Sequence, residues 1–164
     1  MRLFFALWPP AETAASLERW ARGVQAQAGG RIVHAARIHL TLVFLGEVPA
    51  ERLPRAAAAG KRVRFEPREY RIAEARYWPH NRIVWAGLGE FPAAFPQALA
   101  HELEAEGFSH EARPFQAHVT LLREARAPRV LPPPPAAPWP VESFTLVHSE
   151  SSAYRIVETF PCAR

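Results

Sequence analysis

The chain has 164 residues, 49% hydrophobic and 22% charged, which is the size and composition of one compact domain able to bury a core and excludes a disordered chain. The 20 Lys and Arg outnumber the 16 Asp and Glu, leaving +4 carried mostly by arginine, a residue suited to phosphate recognition. Cys162 is the single cysteine, so an internal disulfide and a cysteine-built metal cage are excluded, and a reducing cytoplasm is the expected compartment. No run approaches the ~20 apolar residues of a membrane span, and the apolar opening stops at Trp8-Pro9-Pro10, so a soluble, unprocessed protein is expected.

Leu3 to Trp8 form an apolar run without alternation, which predicts a strand buried on both faces. Between Pro9-Pro10 and Gly29-Gly30, the spacing of Ala14, Leu17, Ala21 and Val24 predicts an amphipathic helix over Ala11 to Gln27. His39 to Leu45, closed by Gly46, reads as a second strand. The alanines of Ala50 to Arg62 read as a helix with Pro54 confined to its first turn. Arg68 to Trp78 and Arg82 to Leu88 are two strands joined antiparallel through Pro79-His80-Asn81. Pro92 to Glu106 is a further helix, stopped by Gly107. Three more strands are predicted at Phe115 to Leu122, Ser143 to His148 and Tyr154 to Phe160, and the proline-crowded Ala125 to Pro140 reads as a surface connection. This order lacks the regular βαβ alternation of a parallel sheet and predicts an α+β fold.

One string occurs twice. His39-Leu40-Thr41-Leu42 returns 79 residues on as His118-Val119-Thr120-Leu121, each copy in a predicted strand. Seven histidines and five threonines would produce two such motifs in only about one chain in a thousand. Strand side chains alternate, so each copy turns a histidine and a threonine to one face and anchors itself by an apolar pair on the other. Two imidazoles facing one groove supply a base and an acid near neutral pH, across from each other as in-line displacement at phosphorus requires. The threonine hydroxyls can donate to non-bridging oxygens. The competing readings are partly buried histidines on ordinary strands, or a zinc site, for which a third ligand at useful spacing is missing.

The paired motifs resemble the 2H phosphoesterase superfamily, and the surrounding strings are similar to its bacterial and archaeal RNA 2′,3′-cyclic phosphodiesterase (2′-5′ RNA ligase) branch. Those strings are Arg2-Leu3-Phe4-Phe5-Ala6, His39 through Gly46, Arg113-Pro114-Phe115 and His118 through Arg123, with weaker likeness at Arg82-Ile83-Val84-Trp85 and Phe144-Thr145-Leu146. The resemblance implies a single domain over residues 1–164 of two intertwined lobes, each with an antiparallel sheet, related by a pseudo-two-fold, with helices outside and one motif per lobe facing a central groove. It implies His39 as the acid protonating the 3′-oxygen and His118 as the base activating water, with a 2′-phosphomonoester as product. Thr41 and Thr120 would hold the phosphate, Arg123 would clamp its charge, and Phe5 would touch the nucleoside; read from the residues alone, Arg123 is equally a solvated surface arginine, and Phe5, on one face with Leu3 and Leu7, equally a core residue. Ala117 departs from the proline usual before the second motif, and the hairpin near Ser149 to Arg155 looks short.

The expected activity is metal-independent opening of 2′,3′-cyclic phosphates on RNA ends or nucleotides, with 2′-5′ ligation as a side activity and no cofactor or metal. A binding module that keeps the groove without turnover is the alternative. A monomer is the default expectation. Simple alternation places Arg123 on the face opposite His118, so the strand must end or bend near Leu122. Trp78, His80 and Asn81 fall in a predicted turn where an aromatic could stack on a base, although covering a sheet end is the plainer role for Trp78. His34, His101, His110 and His148 lack the paired threonine and read as surface or packing residues, and Cys162 lacks a neighbouring base.

Overall fold

The unalternating N-terminal run becomes β1 (Arg2–Leu7), with every residue from Leu3 to Leu7 buried, as expected for a strand covered on both faces. The computed structural model describes residues 1–111, 114–151 and 153–163. Arg113, part of one similar string, lies outside the described residues, as does Ser152 in the final hairpin. After β1 come α1 (Ala11–Ala28), β2 (Arg31–Ile32), β3 (Leu40–Glu47), α2 (Leu53–Arg62), β4 (Arg68–Trp78) and β5 (Ile83–Leu88). Then follow α3 (Ala94–Ala105), β6 (His118–Arg123), β7 (Pro138–Val141), β8 (Ser143–Glu150) and β9 (Ala153–Pro161). Among the described residues no helix is long and apolar enough to cross a membrane.

All pairings are antiparallel and form two sheets, one ordered β3-β1-β8-β9 and the other β2-β6-β5-β4-β7. One continuous core joins them: Leu3, Phe5 and Leu7 of β1, Leu17 and Val24 of α1, Leu99 and Leu103 of α3, and Val119 and Leu121 of β6. The other face of β1 carries a smaller cluster of Phe4, Ala6 and Val147, flanked by Trp8 and Tyr154. Each motif strand pairs with a long-range neighbour of the same kind: β3 with β1, and β6 with β5. This is the α+β, two-sheet, pseudo-two-fold arrangement that the resemblance implied.

Two elements correct the sequence reading. The proline-rich connection does not run on the surface to Pro140. Its end is β7, where exposed Pro138 and Pro140 alternate with buried Trp139 and Val141. An edge strand tolerates proline because one row of its backbone groups needs no sheet partner, and β7 lies at the edge beside β4. Thr13 of α1 caps the arrangement by donating its hydroxyl to the Pro138 carbonyl at 2.6 Å. The helix expected over Ala50 to Arg62 divides into a short 3₁₀ turn, Ala50–Arg52, and then α2, with Pro54 in the first turn where its missing N–H costs no helical bond.

The two-residue β2 has no periodicity by which it could be read from sequence, and it exists because it pairs with the end of β6 (Arg31 opposite Arg123, Ile32 opposite Leu122). Gly30 makes that pairing fit. Its φ is +84°, and a Cβ there would collide with the Arg123 carbonyl oxygen.

Candidate active site

A bulge follows the threonine in each motif strand. In β3, Phe5 faces Val43 and Ala6 faces Thr41, so Leu42 is an extra residue opposite no partner. In β6, Val84 faces Leu122 and Trp85 faces Thr120, so Leu121 is the extra residue. Each bulge resets the alternation. Leu42 and Val43 both turn to the core, as do Leu121 and Leu122, and the residue five after the histidine returns to the histidine's face. That residue is Phe44 in one strand and Arg123 in the other, which explains how Arg123 reaches the groove without the strand ending at Leu122.

β3 is the edge of its sheet and lies against β6 of the other. Between them is a groove of about 840 Å³ lined by His39, Thr41, His118, Thr120 and Arg123, extending past Asn81 toward Arg22, Arg31 and Arg37. The five residues singled out in the two motifs and their extension therefore meet in one place. Phe5 does not. It is fully buried among Phe144 and Phe160, with ring centroids 6.3 and 6.0 Å away, because it shares the core face of β1 with Leu3 and Leu7. Its neighbour Phe4 points the other way and stands 5.0 Å from the His39 ring.

The two imidazoles are held alike. His39 Nδ1–H donates to the Arg37 carbonyl at 2.8 Å, and His118 Nδ1–H to the Gln116 carbonyl at 2.9 Å, each two residues upstream. A carbonyl only accepts, so Nδ1 carries the proton and Nε2 is left for the groove in both. His39 Nε2 also lies 3.1 Å from Thr41 Oγ1, whose hydroxyl donates to it while the ring is neutral.

Aromatic rings enclose each histidine. Around His39 stand Phe4, Trp8 at 5.3 Å and Tyr154 at 5.2 Å, with the Arg37 guanidinium 4.4 Å over Tyr154. Around His118 stand Trp78 at 4.9 Å and Trp85 at 6.1 Å. Trp78 therefore packs against a groove histidine and does more than cover a sheet end. Burial lowers the pKa of His39 to about 4, opposed by the Arg37 carbonyl bond and reinforced by the charges of Arg123, Arg37 and His118. Burial and then Arg123 lower that of His118, against its Gln116 bond. Arg123 therefore stands within electrostatic reach of both rings, and burial favours the neutral form of each.

Of the other histidines, His34 also lines the groove, and most of them have carboxylate or aromatic partners. His34 lies 3.2 Å from Glu18, His110 2.7 Å from Glu104 and His148 3.2 Å from Glu150, while His80 packs beside Trp78. Burial raises the Cys162 thiol pKa, which keeps it protonated. Among the described residues no group of three or more His, Cys, Asp or Glu is placed to hold a metal ion. Sequence reasoning missed Phe4, Trp8 and Tyr154, the rings against His39.

The family model for LigT-like phosphoesterases matches residues 7–85. A curated relative, the RNA 2′,3′-cyclic phosphodiesterase of Escherichia coli, is 37% identical over 90% of this chain and 86% of its own length. The chain belongs to the LigT-like phosphoesterase family. A relative of the same name from Thermus thermophilus is also 37% identical, over 98% of this chain and 89% of its own. Among solved structures, E. coli LigT complexed with 3′-AMP superposes with a TM-score of 0.92 at 31% identity, covering 99% of this LigT-like chain and 98% of that one. The second motif falls outside the family-model match.

Proposed function

We propose that this LigT-like phosphoesterase hydrolyses RNA or nucleotide 2′,3′-cyclic phosphates to 2′-phosphomonoesters by two-histidine acid–base catalysis. The observation that carries the reading is the matched pair of imidazoles in one groove, each tied at Nδ1 to the carbonyl two residues upstream, with Nε2 of His39 met only by the hydroxyl of its own motif threonine. The names of the curated relatives and the 3′-AMP complex of E. coli LigT support the substrate class.

In the proposed step, His118 Nε2 takes a proton from water as its oxygen attacks phosphorus. The bond from phosphorus to the 3′-oxygen breaks, and protonated His39 delivers its Nε2 proton to that oxygen. Each ring keeps its Nδ1–H throughout, so neither has to change its carbonyl anchor to gain or lose the working proton. Thr41 and Thr120 donate to the non-bridging oxygens, and the Arg123 fork balances the phosphate charge. The phosphate anion raises the pKa of an adjacent imidazole, which charges His39 when substrate is present. A ribose 5′-hydroxyl in place of water would make a 2′-5′ linkage by the same proton transfers, the side activity in this reading.

The stronger depression of the His39 pKa favours a second reading with exchanged roles, in which His39 is the base. The product reports which ester oxygen leaves. Incubation with an RNA ending in a 2′,3′-cyclic phosphate, in excess EDTA, is expected to yield the 2′-phosphate; the 3′-phosphate would overturn the assignment of the 3′-oxygen as the leaving group. Binding without turnover would return the groove to a nucleotide-binding module.

A further inference from the structure

The tautomer of His39 rests on a single acceptor. Thr41 Oγ1, beside Nε2, can donate or accept and so suits a proton on either ring nitrogen, whereas the Arg37 carbonyl at Nδ1 only accepts. No sheet ladder places that carbonyl, because β3 begins at Leu40 and Arg37 ends a 3₁₀ turn, Ala35–Arg37, that precedes the strand. The chain is fixed on both sides of the turn: the Val33 N–H donates to the Leu121 carbonyl at 2.9 Å, and Ile38 is fully buried. Between them the turn closes on itself, Arg37 N–H to the His34 carbonyl at 2.8 Å and Ile38 N–H to the Ala35 carbonyl at 3.2 Å.

Glu18 of α1 grips this turn from the side. Its Oε1 accepts the Ala35 N–H at 3.0 Å and lies 3.2 Å from His34 Nδ1, while its Oε2 lies 3.6 Å from the guanidinium of Arg22, one helical turn on. The Ala35 N–H opens the turn, where no helical carbonyl can receive it, so the carboxylate caps the turn from another element. Accepting that N–H is the chief cause that holds the Glu18 carboxyl below its ordinary pKa, so the cap is charged at neutral pH. On the other side the Arg37 guanidinium lies 4.4 Å over the Tyr154 ring. The turn is thus clamped between α1 and β9.

We infer that Glu18 is a positioning residue, which by capping the turn sets the Arg37 carbonyl and through it the Nδ1–H tautomer of His39. This rests on the two-histidine reading above, in which His39 keeps Nδ1–H while Nε2 exchanges the working proton. Without the cap the carbonyl can draw away from Nδ1, and the ring proton can move to Nε2 and be donated to Thr41 Oγ1. The threonine serves that tautomer as well as the other, so the motif itself does not resist the change.

The test reads the ring nitrogen NMR shifts of His39 at neutral pH, which tell a protonated Nδ1 from a bare one, beside kcat and KM on an RNA with a 2′,3′-cyclic phosphate end. Glu18→Gln keeps an oxygen to accept the Ala35 N–H, and Glu18→Leu removes it. Wild type and Glu18→Gln are expected to show Nδ1–H alone. Glu18→Leu is expected to show both tautomers and a kcat lower by about 10- to 10²-fold, with KM little changed because Thr41, Thr120 and Arg123 remain. His118, anchored at the Gln116 carbonyl, is the internal control and keeps one tautomer throughout. Glu18→Ala reads the same property if Glu18→Leu does not fold. A folded Glu18→Leu in which His39 keeps Nδ1–H alone overturns this inference, as does a Glu18→Gln that behaves like it loses the cap. No turnover by the wild type overturns the hydrolase reading, while the His39 tautomer still decides the role of Glu18.

Discussion

The Trp8 indole N–H donates to the hydroxyl of Thr145 at 2.9 Å, across 137 residues of chain. Thr145 is one of the few buried polar residues, and its hydroxyl in turn donates to the Ala6 carbonyl at 3.3 Å. The bond pins the indole where its ring lies 5.3 Å from His39, so a residue in the middle of β8 helps build the enclosure of a groove histidine. Thr145→Val removes the acceptor while keeping the shape. A looser indole admits water to His39, so its pKa is expected to rise toward the ordinary imidazole value. The readout is the His39 ring titration by NMR; an unchanged titration would show that the indole is held by packing alone.

His39→Ala and His118→Ala are each expected to lower kcat by about 10²–10⁴-fold, the range of a positioned acid or base. Thr120→Val is expected to cost less than either. Circular dichroism and thermal melting of the same samples separate lost chemistry from lost folding, and normal turnover in either alanine variant would refute the mechanism.

Because burial holds both imidazoles below the ordinary 6.5, His39 at about 4, an acid and a base coexist in the free protein chiefly at acid pH. The profile of kcat/KM is therefore expected to peak below pH 6.5 and fall as pH rises. That of kcat, which reports the complex, should extend to higher pH because bound phosphate favours the charged ring. A kcat/KM optimum above pH 7 would contradict this.

The same depression has a stability consequence. Between about 6.5 and about 4 the unfolded chain binds a proton at His39 that the folded chain does not. Stability is therefore intact above the unfolded pKa and is lost as pH falls toward the folded one. His39→Gln is expected to lose less Tm than the wild type between pH 7 and pH 5, measured by calorimetry.

Gly30→Ala is expected to lower stability by about 1–3 kcal/mol, through the left-handed backbone and the collision with the Arg123 carbonyl. Since the displaced strand end carries Arg123, KM should rise with it. A destabilised variant with an unchanged KM would uncouple β2 from the groove. Trp139→Ala, emptying a fully buried site on β7, is expected to cost about 3–5 kcal/mol by denaturant unfolding. Only a small loss would restore the reading of that segment as a mere surface connection.

Most of the elements could be read because their periodicities are local. The Ala14, Leu17, Ala21 and Val24 stripe is buried along α1 as its spacing predicts, and the ends of β4 fall at Arg68 and Trp78 as expected. Trp139 could not be read, because its burial depends on β4 lying alongside and not on the prolines around it. For Phe5, likeness points to the nucleoside and β1 parity to the core beside Leu3 and Leu7, and the structure follows the parity.

The sequence by itself determined which groups could do the chemistry. A repeated His-x-Thr with apolar residues between is a local pattern, and strand alternation alone puts each histidine and threonine on one face. Tertiary structure decided the rest, for a physical reason: alternation counts residues, whereas bulges at Leu42 and Leu121 depend on what the partner strand offers opposite them. The extra residue in β6 turns Arg123 into the groove. The packing of rings from β1, β4, β5 and β9 then sets the pKa of each imidazole, a property of neighbours far apart in the chain.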